Sequence, residues 1–182
     1  MKASKLLLIV LSCMLVIGCK KNKTEDEPTT PTPQQYPVIT MDSLKAYFPY
    51  QMIDRLIFEE SNGFSGLTYF VKETTFASKD NKMIVSIFMD GNMQTSTSDL
   101  HSDIHMTVEV TDQHLLKATF VITYNGSYSI EGTYEHDTAK SGKLPDKLNF
   151  SKGAIVEKDK GLTHYADAFG TEWDLFHTYY KQ

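Results

Sequence analysis

From residue 104 onward the chain alternates. Ile104, Met106, Val108 and Val110 are interleaved with His105, Thr107 and Glu109, the period-two pattern of a strand with one buried face. Leu116, Ala118, Phe120, Ile122 and Tyr124 repeat it against Lys117, Thr119, Val121 and Thr123. Asn125-Gly126 then predicts a tight hairpin, because both turn positions need positive φ. The return strand points Tyr128, Ile130, Gly132 and Tyr134 inward. A glycine in that inward series predicts a bend or a close approach.

Upstream, residues 54–60 and 67–73 are strand candidates either side of the Ser61-Asn62-Gly63 turn. Residues 82–89 are nearly all apolar, as expected of a strand covered on both faces. Residues 92–103, NMQTSTSDLHSD, read as a long polar loop. Helical spacing is confined to residues 41–47, capped by Asp42 or Ser43 and stopped by Pro49. Shorter strand candidates lie at 147–150, 154–157, 162–165 and 172–176. The prediction is an all-β domain with a short N-terminal helix. It is a single antiparallel barrel or a two-sheet sandwich of about eight strands.

The first residues follow another pattern. Lys2 and Lys5 precede an almost wholly apolar run over residues 6–17, a charged n-region and short h-region as in a secretory signal. A bilayer-spanning helix needs about 20 apolar residues, and this run is shorter. It ends in Val16-Ile17-Gly18-Cys19, followed by Lys20, Lys21, Asn22 and Lys23. That ending resembles the lipobox of bacterial lipoproteins. The resemblance implies that residues 1–18 are a signal peptide cut off before Cys19, and that Cys19 is acylated and anchors the chain in a membrane. Lys20 after the cysteine implies the outer membrane under the enterobacterial sorting rule. The acidic Glu25-Asp26-Glu27 is similar to clusters used for surface export, so periplasmic and surface faces both stay open. Residues 24–35, TEDEPTTPTPQQ, lack the apolar residues of a core and predict an extended tether. On this reading residues 19–35 are expected to be a lipidated cysteine and linker, and 36–182 a single β-domain.

Composition narrows the chemistry. The two cysteines are Cys13 and Cys19, so the domain itself has none. That excludes disulfides, thiol catalysis and cysteine-ligated zinc within it. The formal net charge is −5, and loss of the leader with its two lysines makes it more negative. With no Lys/Arg cluster in the domain, nucleic-acid binding is not expected.

Two stretches carry a resemblance. Tyr47-Phe48-Pro49-Tyr50 leads into Asp54, Leu56, Phe58, Gly63, Phe70 and Val71. Ala154-Ile155-Val156 leads into Lys160-Gly161-Leu162, Tyr165, Asp167, Gly170 and Trp173. Together they resemble the opening and closing motifs of small uncharacterised lipoproteins of anaerobic gut bacteria. That family implies an extracytoplasmic, lipocalin-like or calycin-like β-domain, and no activity. The glycine-x-tryptophan signature of true lipocalins is missing near the first strand. Phe48 and Tyr50 are expected to plug one end of the sheet, and Trp173 and Leu175 to face the core.

No catalytic motif emerges. His101 and His105 are four apart, which would share a helix face, but on a strand they stand about 13 Å apart, too far for one metal ion. Glu135-His136-Asp137 reads as a solvated loop. Asp80-Asn81 and Asp90-Gly91-Asn92 do not complete a calcium loop. Gly63-Phe64-Ser65-Gly66 is not a nucleophile elbow. No metal or cofactor is expected. Asp42-Ser43-Leu44 and Asp137-Thr138-Ala139 resemble a bacterial O-glycosylation acceptor.

All ten tyrosines lie beyond residue 35. Tyrosine offers an apolar ring and a polar edge for stacking on sugars or lining an amphipathic pocket. Tyr124, Tyr128 and Tyr134 are the candidate ligand-binding residues. The expectation is a non-enzymatic envelope lipoprotein that binds a small amphipathic ligand or a glycan. The alternative is an interaction module with a filled core, serving a neighbouring envelope protein. A carboxylate-dependent hydrolase is the less favoured third reading.

Overall fold

The computed structural model describes residues 36–63, 65–94 and 99–182. The leader, Cys19 and the linker lie outside the described residues. So do Phe64 and residues 95–98 of the expected polar loop. Tyr36–Gln182 forms one compact unit.

The protein is all-β: ten antiparallel strands form a nearly closed barrel compatible with a lipocalin-like fold. They are β1 (Ile53–Glu60), β2 (Gly66–Lys79), β3 (Lys82–Gln94), β4 (Asp99–Thr111), β5 (Leu115–Tyr124), β6 (Tyr128–Asp137), β7 (Lys147–Asn149), β8 (Ile155–Glu157), β9 (Gly161–Ala166) and β10 (Glu172–Tyr180). The lateral order is β6-β5-β4-β3-β2-β1-β10-β9-β8-β7. Tight turns make most of the connections. Asn125 and Gly126 have φ of 46° and 66°, the hairpin geometry that their sequence requires. The turns at Asp80-Asn81 and Asp112-Gln113 take the same left-handed backbone without a glycine.

Helix α1 (Met41–Tyr47) starts one residue earlier than the expected cap. Thr40 is the N-cap: its Oγ1 accepts from Ser43 N at 3.1 Å, while Thr40 N donates to Ser43 Oγ at 2.9 Å. This reciprocal box satisfies two free donors. Leu44 and Tyr47 are buried, and Tyr47 donates its hydroxyl to Pro145 O at 2.6 Å. Phe48 and Tyr50, either side of Pro49, are wholly buried. A short helix α2 (Thr138–Ser141) follows β6, its first turn capped by Asp137.

The strands run well beyond their expected ends. Residues 92–94 and 99–103, expected in a loop, are strand and pair with each other. Strand β3 is covered on one face only. Val85, Ile87 and Met89 are buried, but Ile84 on the opposite face is exposed. Glu135, His136 and Asp137 finish β6 rather than forming a loop.

Closure falls between β6 and β7, the two ends of the strand order. There the ladder is replaced by a 3-10 turn, Ser151–Gly153. Thr133 N on β6 donates to Ser151 Oγ at 2.8 Å, and Phe150 packs against Tyr134 and Phe120. A Cβ on Gly132 would lie 2.3 Å from Ser151 O. The glycine in the inward series is what lets the turn close the seam.

Candidate functional site

The inside of the barrel is built from aromatic residues that satisfy one another. Phe58, Tyr69, Tyr165 and Phe120 are buried in mutual ring contact, Phe58 and Tyr165 at a centroid distance of 5.2 Å. Trp173 stacks on Tyr165 and donates its indole N–H to Asp167 Oδ2 at 3.1 Å. The other Asp167 oxygen accepts from Phe169 N and Thr171 N. Tyr50 Oη accepts from Leu162 N at 2.6 Å. Tyr69 reaches across the sheet: its hydroxyl meets Ser102 Oγ at 2.8 Å and accepts from Tyr165 Oη at 3.4 Å. On the way its ring covers Gly91, where an added Cβ would lie 2.4 Å from the ring carbons. Burial holds the Tyr69 hydroxyl proton, raising its pKa to about 12 against the pull of the Ser102 and Tyr165 bonds.

The tyrosines expected to line a ligand pocket are spread along β5 and β6. Tyr124 is buried, its ring edge-on to Phe169 at 5.9 Å. Tyr134 is half-buried, stacked with His136 and packed on Phe150. Tyr128 is paired with Tyr124 across the hairpin, and its side chain lies outside the described residues. Two open depressions lie on the outside wall, around Arg55.

That wall carries the arrangement with the most chemistry. Antiparallel register sets two rows of outward side chains across β10, β1, β2, β3 and β4. One row is Tyr179, Arg55, Phe70, Asp90 and Asp103. Beside it runs His177, Ile57, Thr68, Asn92 and His101. Neighbours in a row are about 4.8 Å apart, so the rows form a continuous surface.

At one end of the rows stands Arg55, the chain's single arginine. Its guanidinium lies 4.2 Å from the centroid of the Tyr179 ring, a cation–π contact. Among the described residues it has no carboxylate partner, and its Nε is buried without a hydrogen-bond acceptor. Phe70, 39% exposed, stands on its other side. Arg55 links two open depressions. One, of about 410 Å³, is lined by Arg55, Gly66, Thr68, Phe70 and Asn92. The other, of about 530 Å³, runs from Asp54 and Arg55 to Tyr179 and the C-terminal residues.

At the other end, β3 and β4 bring Asp90, Asn92, His101 and Asp103 together. A bulge in β2 between Val71 and Glu73 leaves Lys72 out of the ladder. Its Nζ lies 3.5 Å from Asp90 Oδ2. His105, which a helical reading would pair with His101, instead stacks on Phe88 at 4.6 Å.

A third polar group lies at the β9–β10 edge, where His164 Nδ1 meets Asp174 Oδ1 at 2.7 Å and Ser61 Oγ donates to Asp174 Oδ2 at 2.8 Å. The His164 contact, then the Ser61 bond, hold the Asp174 carboxyl below its usual range. The carboxylate sits between histidine and serine, so the imidazole is not placed to take the serine proton as a hydrolytic triad requires. The two candidate glycosylation hydroxyls are both engaged in hydrogen bonds, Ser43 at the exposed helix cap and Thr138 in a buried position. Ser43 Oγ donates to Thr40 O, and the buried Thr138 Oγ1 donates to Pro37 O.

Sequence alone pointed to the tyrosines and missed the wall. Its signal was present in the outward residues of β3 and β4, but it needed the strand register to become a cluster. No family model matches the chain, no curated protein is significantly similar to it, and no solved structure matches it.

Proposed function

We propose that this protein is a membrane-tethered, non-enzymatic binding module that engages a glycan on the outer wall of its barrel. In this reading Cys19 is the acylated anchor to the outer membrane, residues 20–35 are the tether, and the ligand is one with an acidic group. The observation that carries it is the unpaired Arg55 flanked by the exposed rings of Tyr179 and Phe70. Aromatic faces stack on the apolar faces of sugars. A guanidinium fixes a carboxylate through two parallel hydrogen bonds. Thr68 and Asn92, which line the same depression, add the hydroxyl and amide groups that orient a polyol. The buried, mutually packed rings of Phe58, Tyr69, Tyr165 and Phe120 support a ligand held on the wall rather than among them.

The test is affinity electrophoresis of the full chain in gels cast with neutral and uronate-containing polysaccharides. Retardation by the acidic polymers is expected, with at least a fivefold loss of affinity in Arg55→Gln and in Phe70→Ala. Equal mobility in every gel, together with a specific protein crosslink at Tyr179, would replace the glycan with a protein partner on the same wall.

A further inference from the structure

We propose that Asp90, His101 and Asp103 form a divalent metal site of the zinc class, with Asn92 orienting the histidine. One ligand atom from each of the three lies within 4.8 Å of the others. The imidazole geometry selects the role of each atom. His101 Nδ1 is 3.0 Å from Asn92 Oδ1, so Nδ1 carries the proton and donates it to the amide oxygen. In the neutral imidazole Nε2 keeps its lone pair, directed at Asp103 Oδ1 from 3.3 Å. Two lone pairs that face each other are reconciled by a cation between them, either the second proton of an imidazolium or a metal ion. Their separation is that of two ligands on one tetrahedral zinc, about 3.3 Å for bonds near 2.0 Å. A metal-bound histidine characteristically donates its other N–H to an acceptor, and Asn92 supplies one.

Asp90 gives an independent indication. Its Oδ1 is buried and lacks a hydrogen bond. The nearest cationic candidate, His101 Nδ1 at 3.5 Å, is already turned toward Asn92. A buried carboxylate oxygen without a donor is costly, and a bound cation would remove that cost. Lys72 holds the other oxygen of Asp90, which fixes the carboxylate and leaves the cluster one charge negative before an ion enters. The side chains of Asp90, His101 and Asp103 are 28%, 46% and 24% exposed, open enough for an ion to reach them. One imidazole with two carboxylates suits a borderline ion such as Zn²⁺, whereas Ca²⁺ and Mg²⁺ prefer oxygen alone.

The backbone under this cluster is held from within. Gly91 lies between Asp90 and Asn92, and Ser102 between His101 and Asp103. Tyr69 covers the first and hydrogen-bonds the second. The four outer side chains therefore stand on two strands clamped by one inner tyrosine.

Isothermal titration of the untagged full chain with ZnCl₂, after chelator treatment, tests the site. The chain carries Cys13→Ser and Cys19→Ser so that no thiol competes. One Zn²⁺ per chain is expected. Binding should be lost in His101→Ala and Asp103→Asn, fall about tenfold in Asn92→Ala, and stay unchanged in His105→Ala. Co²⁺ added to the same parent chain should give a visible d–d band that Zn²⁺ displaces, a readout that needs no site variant. Absence of saturable Zn²⁺ binding, or equal binding by a folded His101→Ala chain, would overturn the proposal and leave the cluster as ion pairs. Ca²⁺ binding as tight as Zn²⁺ and indifferent to His101→Ala would overturn the imidazole's role.

Discussion

Tyr69 shows how much one residue decides. It fills the barrel, forces glycine at position 91, calls for a hydroxyl at 102 and joins its own hydroxyl to that of Tyr165. Its titration has a consequence for stability. An unfolded tyrosine loses its proton near pH 10, while folded Tyr69 keeps it to about 12. Between those values the native state binds more protons, so stability is full below pH 10 and falls as pH rises toward 12. A shift of that size corresponds to on the order of 3 kcal/mol. Burial raises Tyr50 and Tyr165 as well, steepening the fall. Urea unfolding from pH 8 to 11.5 should show a declining midpoint, with a shallower decline in Tyr69→Phe. A midpoint that holds flat across that range would contradict the buried, protonated hydroxyls. The candidate site was only partly legible at this scale. His101 and the Asp90-Gly91-Asn92 stretch stood out, but their meaning depends on which residues face them across the sheet. Arg55 drew no attention, because a lone arginine on a strand has no pattern around it.

Among the elements, alternation made β5 and β6 readable, and Asn125-Gly126 fixed their turn. The same logic failed at residues 92–103 for a physical reason. The inward positions there include Gly91 and Ser102, kept small because the Tyr69 ring fills the space above them. With glycine and serine at those two positions, the period-two signal weakens and two strands look like a loop. The turns at Asp80-Asn81 and Asp112-Gln113 were hidden because non-glycine residues occupy left-handed backbone. Helix α1 was legible, but its cap was read from the wrong residue. Thr40 and Ser43 act as a pair, so Thr40→Ala should cost about 1 kcal/mol. Thermal unfolding would register this as a drop of a few degrees, and an unchanged Tm would mean that the box adds nothing.

Across the whole molecule, the fold class was legible because many short alternating segments admit few architectures. The route by which the barrel nearly closes was not, since it depends on a 3-10 turn and a side-chain hydroxyl rather than on a strand. That seam is the place where the sheet should open first. Removing the Ser151 hydroxyl leaves Thr133 N without its acceptor, so hydrogen exchange in Ser151→Ala should accelerate along β6 while β2, β3 and β4 stay protected. Uniform acceleration in every strand would show instead that the seam has no local opening of its own.

The alternation of the wall has one more consequence. In β2 the outward Thr68 and Phe70 flank the buried Tyr69, and in β3 and β4 the outward Asp90 and Asp103 adjoin the buried Met89 and Ile104, so outer and inner side chains occupy opposite faces of the same strands. Substitutions that rewrite the surface can accumulate singly without disturbing the aromatic interior. Such a barrel can diversify its recognition by point mutation while keeping the same scaffold, with no need for the loop insertions through which many binding folds evolve.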